Sequence, residues 1–336
     1  MNSTDSSERA PIHDGFQLVS CNNCGADDAT TVVEIDKDYE YDGIIEDKYA
    51  QRNFTMVRCN QCNLVYINPQ PTQAEVMHYY PAGQYCCFAQ LPPKNALMSI
   101  LYRMMVFMKR RALIPSMPDD GVLLDFGCGT GHWLVALKKG AKPGQRFIGI
   151  DASPGAIAQL ESAGIEAYVG DDQVLVDTIP ENSVDVILLT HVIEHVPDPK
   201  QTLRRLMRVL KPGGVIHGVT PNVDAWDVRR YGKFWGGWHA PRHFILFDDV
   251  LLKKYVEESG LECTDLVWDM EGASHWAVSM HTKLAEKRGF RPSPDKWRMG
   301  IYPLFLLISL PIGILQKLVS KTSVMSFVLR KPLGQG

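Results

Sequence analysis

The segment that most limits how this chain can fold runs from Gly121 to Val219, where short apolar runs alternate with helix-forming stretches. Val122–Phe126, Phe147–Ile150, Ala167–Val169, Val184–Leu189 and Val215–Val219 read as strands. Trp133–Lys139 reads as part of a helix, and amphipathic Gln201–Leu210 as another, stopped by Lys211-Pro212-Gly213-Gly214. Ser153-Pro154 opens a third, with serine as cap and proline at the first helical position. Strands joined through helices run parallel, because a helical crossover returns the chain to the same edge of the sheet. The pattern therefore predicts an α/β fold, a mostly parallel sheet with helices on both faces. At 336 residues the chain has room for a second, smaller unit.

Asp125-Phe126-Gly127-Cys128-Gly129-Thr130-Gly131 lies between the first strand and its helix. Glycines there allow a tight turn and close backbone approach to a ligand. Asp151 ends the next strand, where a carboxylate can accept from two ribose hydroxyls. The order Gly-x-Gly-x-Gly departs from the dinucleotide fingerprint Gly-x-Gly-x-x-Gly. A pyrophosphate needs an open helix N-terminus. A sulfonium-bearing amino acid does not, and Asp125 suits its cationic end.

LLDFGCGTGHWL, FIGIDASPGAI, SVDVILLTHVIEHVPDP and VLKPGGVIHGVTPN follow one another in an order and spacing that resemble class I S-adenosylmethionine methyltransferases. EHVPDP and TPN resemble the branch holding the ubiquinone-biosynthesis O-methyltransferases. The likeness covers about residues 119–260 and the final Met325–Lys331. It implies a Rossmann-like, seven-stranded, mostly parallel sheet. It also implies roles. Gly127, Cys128, Gly129 and Gly131 line the methionine part of the cofactor, and Asp125 faces its amino group. Asp151 holds the ribose, Ala152 flanks the adenine, and Asp171 or Asp172 sits near the adenine amine. Thr190 and His191 face the transferable methyl group.

Ahead of this region, Cys21-x-x-Cys24 and Cys59-x-x-Cys62 form two matched hooks separated by 34 residues. Four thiolates suit tetrahedral Zn²⁺, and with every ligand position filled by cysteine the site is structural. Gly25 and Asn63 follow the second cysteine of each hook, where a tight turn favours residues that tolerate positive φ. Cys86, Cys87, Cys128 and Cys263 read as packing residues. Asn68-Pro69-Gln70-Pro71 marks a boundary. The expected organisation is a disordered tail over 1–16, a four-cysteine zinc module over 17–70 and a helical linker or cap over 71–118. The methyltransferase domain then spans 119–336, with a lid insertion at about 221–247 and an apolar insertion at about 272–318.

Two stretches offer reaction chemistry. His191-Val-Ile-Glu194-His195 follows the fourth strand, at the carboxyl edge where open α/β sheets bind ligands. Residues 235–244, WGGWHAPRHF, read as a lid or substrate loop and supply His243. Histidine is a suitable base near neutral pH. His191, Glu194, His195 and His243 are the catalytic candidates; His217 reads as a core residue and His239 stays undecided. Relatives with a Glu-x-x-Glu-His arrangement hold a divalent metal, but His191 stands where the first Glu would be, so a catalytic metal is the less favoured reading.

The polar Met1–Ala10 predicts no secretion leader, and hence a cytoplasmic protein with reduced thiols. The net charge of −3 and the acid-rich segment 17–70 disfavour nucleic acid as partner. The leading expectation is methylation of a small molecule, O-methylation first, with a lipid-linked or secondary metabolite as acceptor. RNA methylation and a non-catalytic cofactor-binding protein are the alternatives. Lys94–Ile114 and Met299–Leu315 are strongly apolar. They are expected to pack on the core or at a dimer interface, with peripheral membrane contact as the other reading. Oligomeric state is not legible.

Overall fold

The computed structural model describes residues 15–81, 100, 103–104, 106–108, 111, 113, 117–269, 271–289, 302–319 and 321–334. Its strands in chain order are β1 (Phe16–Gln17), β2 (Ala29–Ile35), β3 (Phe54–Cys59), β4 (Val65–Ile67), β5 (Gln70–Pro71), β6 (Val122–Phe126), β7 (Arg146–Asp151), β8 (Glu166–Val169), β9 (Val184–Thr190), β10 (Leu210–Pro221), β11 (Ile245–Leu246), β12 (Glu262–Trp268) and β13 (Val324–Arg330). Seven of them form the main sheet in the order β12-β13-β10-β9-β6-β7-β8. The run from β10 to β8 is parallel. β13 lies antiparallel between β10 and β12. Every residue of β6 is buried, as a central strand covered on both faces requires.

The chain leaves β6 toward β7 on one side, while β9 lies on the other. Such a switch point opens a crevice at the carboxyl ends of the strands. The sequence-read helices form around this sheet, and the one predicted cap is in place. Ser153 Oγ accepts from the Ala156 amide at 3.4 Å, with Pro154 following. The helix expected from Gln201 begins earlier, at Pro199, and is capped by Asp198, which accepts from the Gln201 amide.

A second sheet, ordered β11-β4-β3-β2, carries the paired cysteine hooks. β11 comes from the stretch expected to be a lid, and pairs antiparallel with β4. Side chains of the cysteine-bearing segment (Phe54, Val65, Ile67) share one buried cluster with Trp235 and Phe244 and with Ile187 and Ile216 of the main sheet. Within the region expected to be a disordered tail, residues 1–14 fall outside the described residues. Phe16 is buried in β1, which pairs with β5.

Met299–Leu315 contains two prolines, Pro303 and Pro311, which disfavour a continuous helix. The structure instead has one helix, Tyr302–Val319, with Pro311 inside it. Pro303 sits in the first turn, where a missing N–H costs nothing. Pro311 removes a single hydrogen bond from the ladder, and the turns on either side carry the helix through. Most of Lys94–Ile114, with Cys86 and Cys87, lies outside the described residues; Ile100, Met104, Phe107 and Met108 are helical and exposed.

Candidate functional site

The glycine loop and Asp151 meet at the switch point. Gly127, Gly129 and Gly131 all have positive φ, at 72°, 52° and 65°, a region L-residues with side chains rarely adopt. A Cβ on Gly127 would lie 2.5 Å from Val192, and one on Gly131 2.0 Å from Leu160. Gly127 donates its amide to the Ile150 carbonyl at 2.8 Å. Asp151 accepts from the Gly129 amide at 2.7 Å and from the Ser153 amide at 2.8 Å. Burial raises its carboxyl pKa, with those two amides opposing the shift. Asp125 is buried beneath the loop and Ala152 is exposed beside Asp151. Cys128 is buried and its thiol pKa is pushed up by burial, then by the charges of Asp125 and Asp151.

The two acidic residues after β8 separate in role. Asp172 accepts from Thr202 and Arg205, each at 2.7 Å, and so binds its helix to the Pro199–Val209 helix. Asp171 caps its own helix through the Gln173 amide.

At the end of β9, Thr190 is half-buried and His191 has φ of 53°. The His191 ring lies between two carboxylates, Nδ1 3.1 Å from Glu194 and Nε2 3.4 Å from Glu271. Burial opposes its charge, but Glu194 and Glu271 outweigh burial and push its pKa up to about 10. Glu194 is fully buried and also accepts from Thr220 Oγ1 at 3.0 Å. The Phe244 amide donates to the Glu194 carbonyl at 2.8 Å, which brings the WGGWHAPRHF stretch onto the β9 loop. His195 and His243 then stand with ring centroids 4.5 Å apart. His195 Nδ1 lies 3.1 Å from the Arg242 carbonyl, and His243 Nδ1 2.9 Å from the Gly237 carbonyl. A carbonyl can only accept, so each Nδ1 carries the hydrogen and each Nε2 is left with its lone pair. Burial lowers the His195 pKa to about 4. Burial, then the neighbouring histidines, puts His243 well below its usual value. At neutral pH the cluster thus holds one cation, His191, and two neutral imidazoles.

Ligand atoms of Glu194, His195 and His243 all lie within 4.8 Å of one another. The Glu194 oxygen nearest His243, at 3.9 Å, is the same one that faces cationic His191. An ion there would compete with that imidazolium, and of the three candidate ligands only Glu194 is a carboxylate to offset a divalent charge. The residues fit a hydrogen-bonded cluster better than an ion cage.

The chain is similar to known proteins. A family pattern described as a methyltransferase domain matches residues 102–266. A 37.1 kDa protein in transposon TN4556 of Streptomyces fradiae is 36% identical over 112 residues, 31% of each chain. The match thus spans less than a third of that relative. The ubiquinone biosynthesis O-methyltransferase of Pseudomonas fluorescens (strain SBW25) is 34% identical over 176 residues, 48% of this chain and 72% of that enzyme. Its counterpart in Pseudomonas aeruginosa (strain UCBPP-PA14) is 30% identical over the same shares. The chain belongs to the class I S-adenosylmethionine-dependent methyltransferases.

This methyltransferase completes its histidine cluster with residues that the sequence did not single out. Tyr80 OH lies 3.0 Å from His195 Nδ1. Glu40 lies 2.8 Å from His239 Nδ1, and the His239 ring is 5.0 Å from His243 and 6.0 Å from His195. Burial pushes Glu40 up to about 7, against the charge of Arg242. Arg242 is buried and bonds Asp38 and the Tyr79 carbonyl. The 34 residues between the cysteine hooks therefore reach the histidine cluster from far along the chain. Only the pairing of acidic side chains with a His/Arg-rich loop hinted at this. His217, expected in the core, is half-buried in β10.

The four hook cysteines also converge. Cys21 and Cys62 sulfurs are 3.5 Å apart, as are those of Cys24 and Cys59. Thiolates around a tetrahedral zinc lie about 3.8 Å apart, given Zn–S near 2.3 Å. The two hooks turn alike. The Gly25 and Asn63 amides donate to the Cys21 and Cys59 carbonyls, and both residues have positive φ, as the sequence predicts.

Proposed function

We propose that this methyltransferase transfers a methyl group from S-adenosylmethionine to a small-molecule acceptor, with an acceptor oxygen favoured and a lipid-linked or secondary metabolite as its source. The observation that carries the reading is the juncture of the Gly127–Gly131 bend, Asp151 and the His191–His195 loop at one sheet edge. The bound cofactor supplies a carbon already activated by its sulfonium. The protein's work is to position the reactants, which alone can supply much of the rate, and to take a proton from the acceptor. Asp125, Gly127, Cys128, Gly129 and Gly131 would cradle the methionine end, Asp151 the ribose and Ala152 the adenine. Asp171 would be the one to face the adenine amine, since the oxygens of Asp172 are taken up by Thr202 and Arg205. Thr190 and His191 would border the methyl group.

His191 is not the base in this scheme, because it already holds its proton. It neutralises Glu194 and leaves the lone pairs of His195 and His243 to receive the acceptor's proton. Cys21, Cys24, Cys59 and Cys62 would hold a structural zinc that keeps the hook region docked against this cluster, within the organisation 17–70, 71–118 and 119–336. All described cysteines are free thiols, which suits a cytoplasmic setting. The test is transfer of radiolabelled methyl from the cofactor to a panel of phenols, polyprenyl phenols and sugars. Labelled product whose new methyl ether survives alkali supports the reading; cofactor that is bound but never consumed overturns it.

A further inference from the structure

The Tyr302–Val319 helix is built inside out. Leu304, Leu307, Ile308, Leu315 and Leu318 repeat at i, i+3, i+4, i+11 and i+14, which places them on one stripe. All five are exposed, Leu307 at 65% and Leu318 at 77%. The opposite side, packed on the Gly272–Arg288 helix, carries the helix's small and polar residues beside Phe305 and Ile312. Ser309, Gly313 and Gln316 are buried there, and Gln316 bonds Trp276 and Asp227. A helix that hides its polar side and shows its apolar side has lost the arrangement expected against water. Isolated exposed leucines need no explanation, but a contiguous stripe marks an interaction surface.

Charge decides between occupants. Residues 302–321 contain no Asp or Glu, and Lys317 is exposed near the helix end. The His281 ring meets Phe305, and Trp276 bonds Gln316, so the two helices run antiparallel. Exposed Lys287 and Arg288 therefore flank the start of the apolar stripe, while Lys317 flanks its end. Glu286, their neighbour in sequence, is already engaged by Lys37 at 2.9 Å. The exposed helical residues Ile100, Met104, Phe107 and Met108, with Arg103 and Arg111, repeat the combination of apolar and basic side chains elsewhere. At 1.5 Å per residue the 18-residue helix is about 27 Å long. Among the described residues no helix is long and apolar enough to cross a membrane, so a helix of this kind lies along a surface.

We infer that the Leu304–Leu318 stripe rests on an anionic lipid bilayer, its leucines among the acyl chains and its flanking lysines and arginine against the headgroups. An apolar stripe combined with basic flanks is what binds such interfaces. The inference does not depend on which acceptor is methylated, and its test uses no turnover. The full chain is sedimented with vesicles of phosphatidylcholine alone and of phosphatidylcholine with one quarter phosphatidylglycerol. The expected result is at least tenfold stronger partition to the anionic vesicles. Leu307→Gln/Leu315→Gln should abolish partition with cofactor affinity unchanged, and Lys287→Glu/Lys317→Glu should lose the preference for anionic lipid. Equal partition of wild type and the leucine variant overturns the inference, as does failure to bind either vesicle. Concentration-dependent self-association that the leucine variant abolishes would give the stripe to a second copy of the chain and overturn it equally.

Discussion

The two halves of the crevice are made in opposite ways. The proposed cofactor half comes from one continuous stretch, Asp125 to Asp151, whose glycines and carboxylate meet across neighbouring strands. The proposed acceptor half is assembled from distant segments: Tyr80 is 115 residues from His195, and Glu40 is 199 from His239. A local site is secured by backbone conformation, a distributed one by the packing that brings its parts together. Damage to the first should abolish ligand binding and spare the fold. Damage to the second should cost stability and leave cofactor binding largely intact.

The largest effect is expected on the local side. Gly129→Val puts a branched side chain at φ of 52°, and Asp151→Ala removes the carboxylate that would bind the ribose. Hydrogen bonds to a charged group contribute about 1.5–3 kcal/mol each, so cofactor affinity measured by calorimetry should fall about a hundredfold or more in each variant. Wild-type affinity in both would break the assignment of this half. For the hook region, metal analysis of the purified protein should find about one tightly held zinc, lost in Cys59→Ser. Full zinc in that variant would break the four-thiolate assignment.

Arg242→Met tests the distributed side. It leaves Asp38 buried without its partner, and breaking a buried pair costs about 3–5 kcal/mol. Denaturant unfolding should show that loss, while cofactor affinity changes less than about threefold. If affinity collapses together with stability, the two halves are not separable.

This contrast explains what could be read from the sequence. The alternation of strands and helices, the caps at Ser153 and the bend at 127–131 are encoded within windows of a few residues, and each forms where expected. His195 and His243 could be proposed together only through a resemblance, because their meeting depends on the Phe244 amide reaching Glu194. Glu40 carried no signal of its own beyond the acidity of its loop: an acid in an acid-rich loop looks like a solvated one until the fold buries it beside His239. The Tyr302–Val319 helix misled for a related reason. Its composition predicts burial, but the partner helix takes its polar side.

The histidine cluster makes stability depend on pH in both directions. His191 has a folded pKa raised to about 10, so its contribution is full below its unfolded value near ~6.5. It is lost as pH rises through about 10. His195, lowered to about 4, costs stability as pH falls from ~6.5, because a buried neutral ring must then take up a proton. Thermal melts should therefore decline on both flanks, and His191→Asn should remove the alkaline decline alone. Loss of methyl transfer on chelation with the four-cysteine zinc retained, restored by a divalent ion, would instead show that Glu194 answers to a metal and not to His191.

Glu40→Gln is expected to have the smallest effect. The folded pKa of Glu40 is raised to about 7 by burial, so its protonated form is favoured and stability attributable to it is lost as pH rises from ~4.5 through that value. Glutamine imitates the neutral acid in shape and can still bond His239 Nδ1. The variant should unfold within about 1 kcal/mol of wild type at pH 7, the range for a preserved neutral hydrogen bond. It should also lack the decline between acid and neutral pH. Carboxyl carbon NMR provides the direct check: one glutamate resonance titrating near neutrality in wild type and absent from the variant. If no such resonance exists, Glu40 is an ordinary ionised acid. The hook region then meets the reaction centre through Arg242 and Tyr80, and not through a carboxylate held near its point of titration.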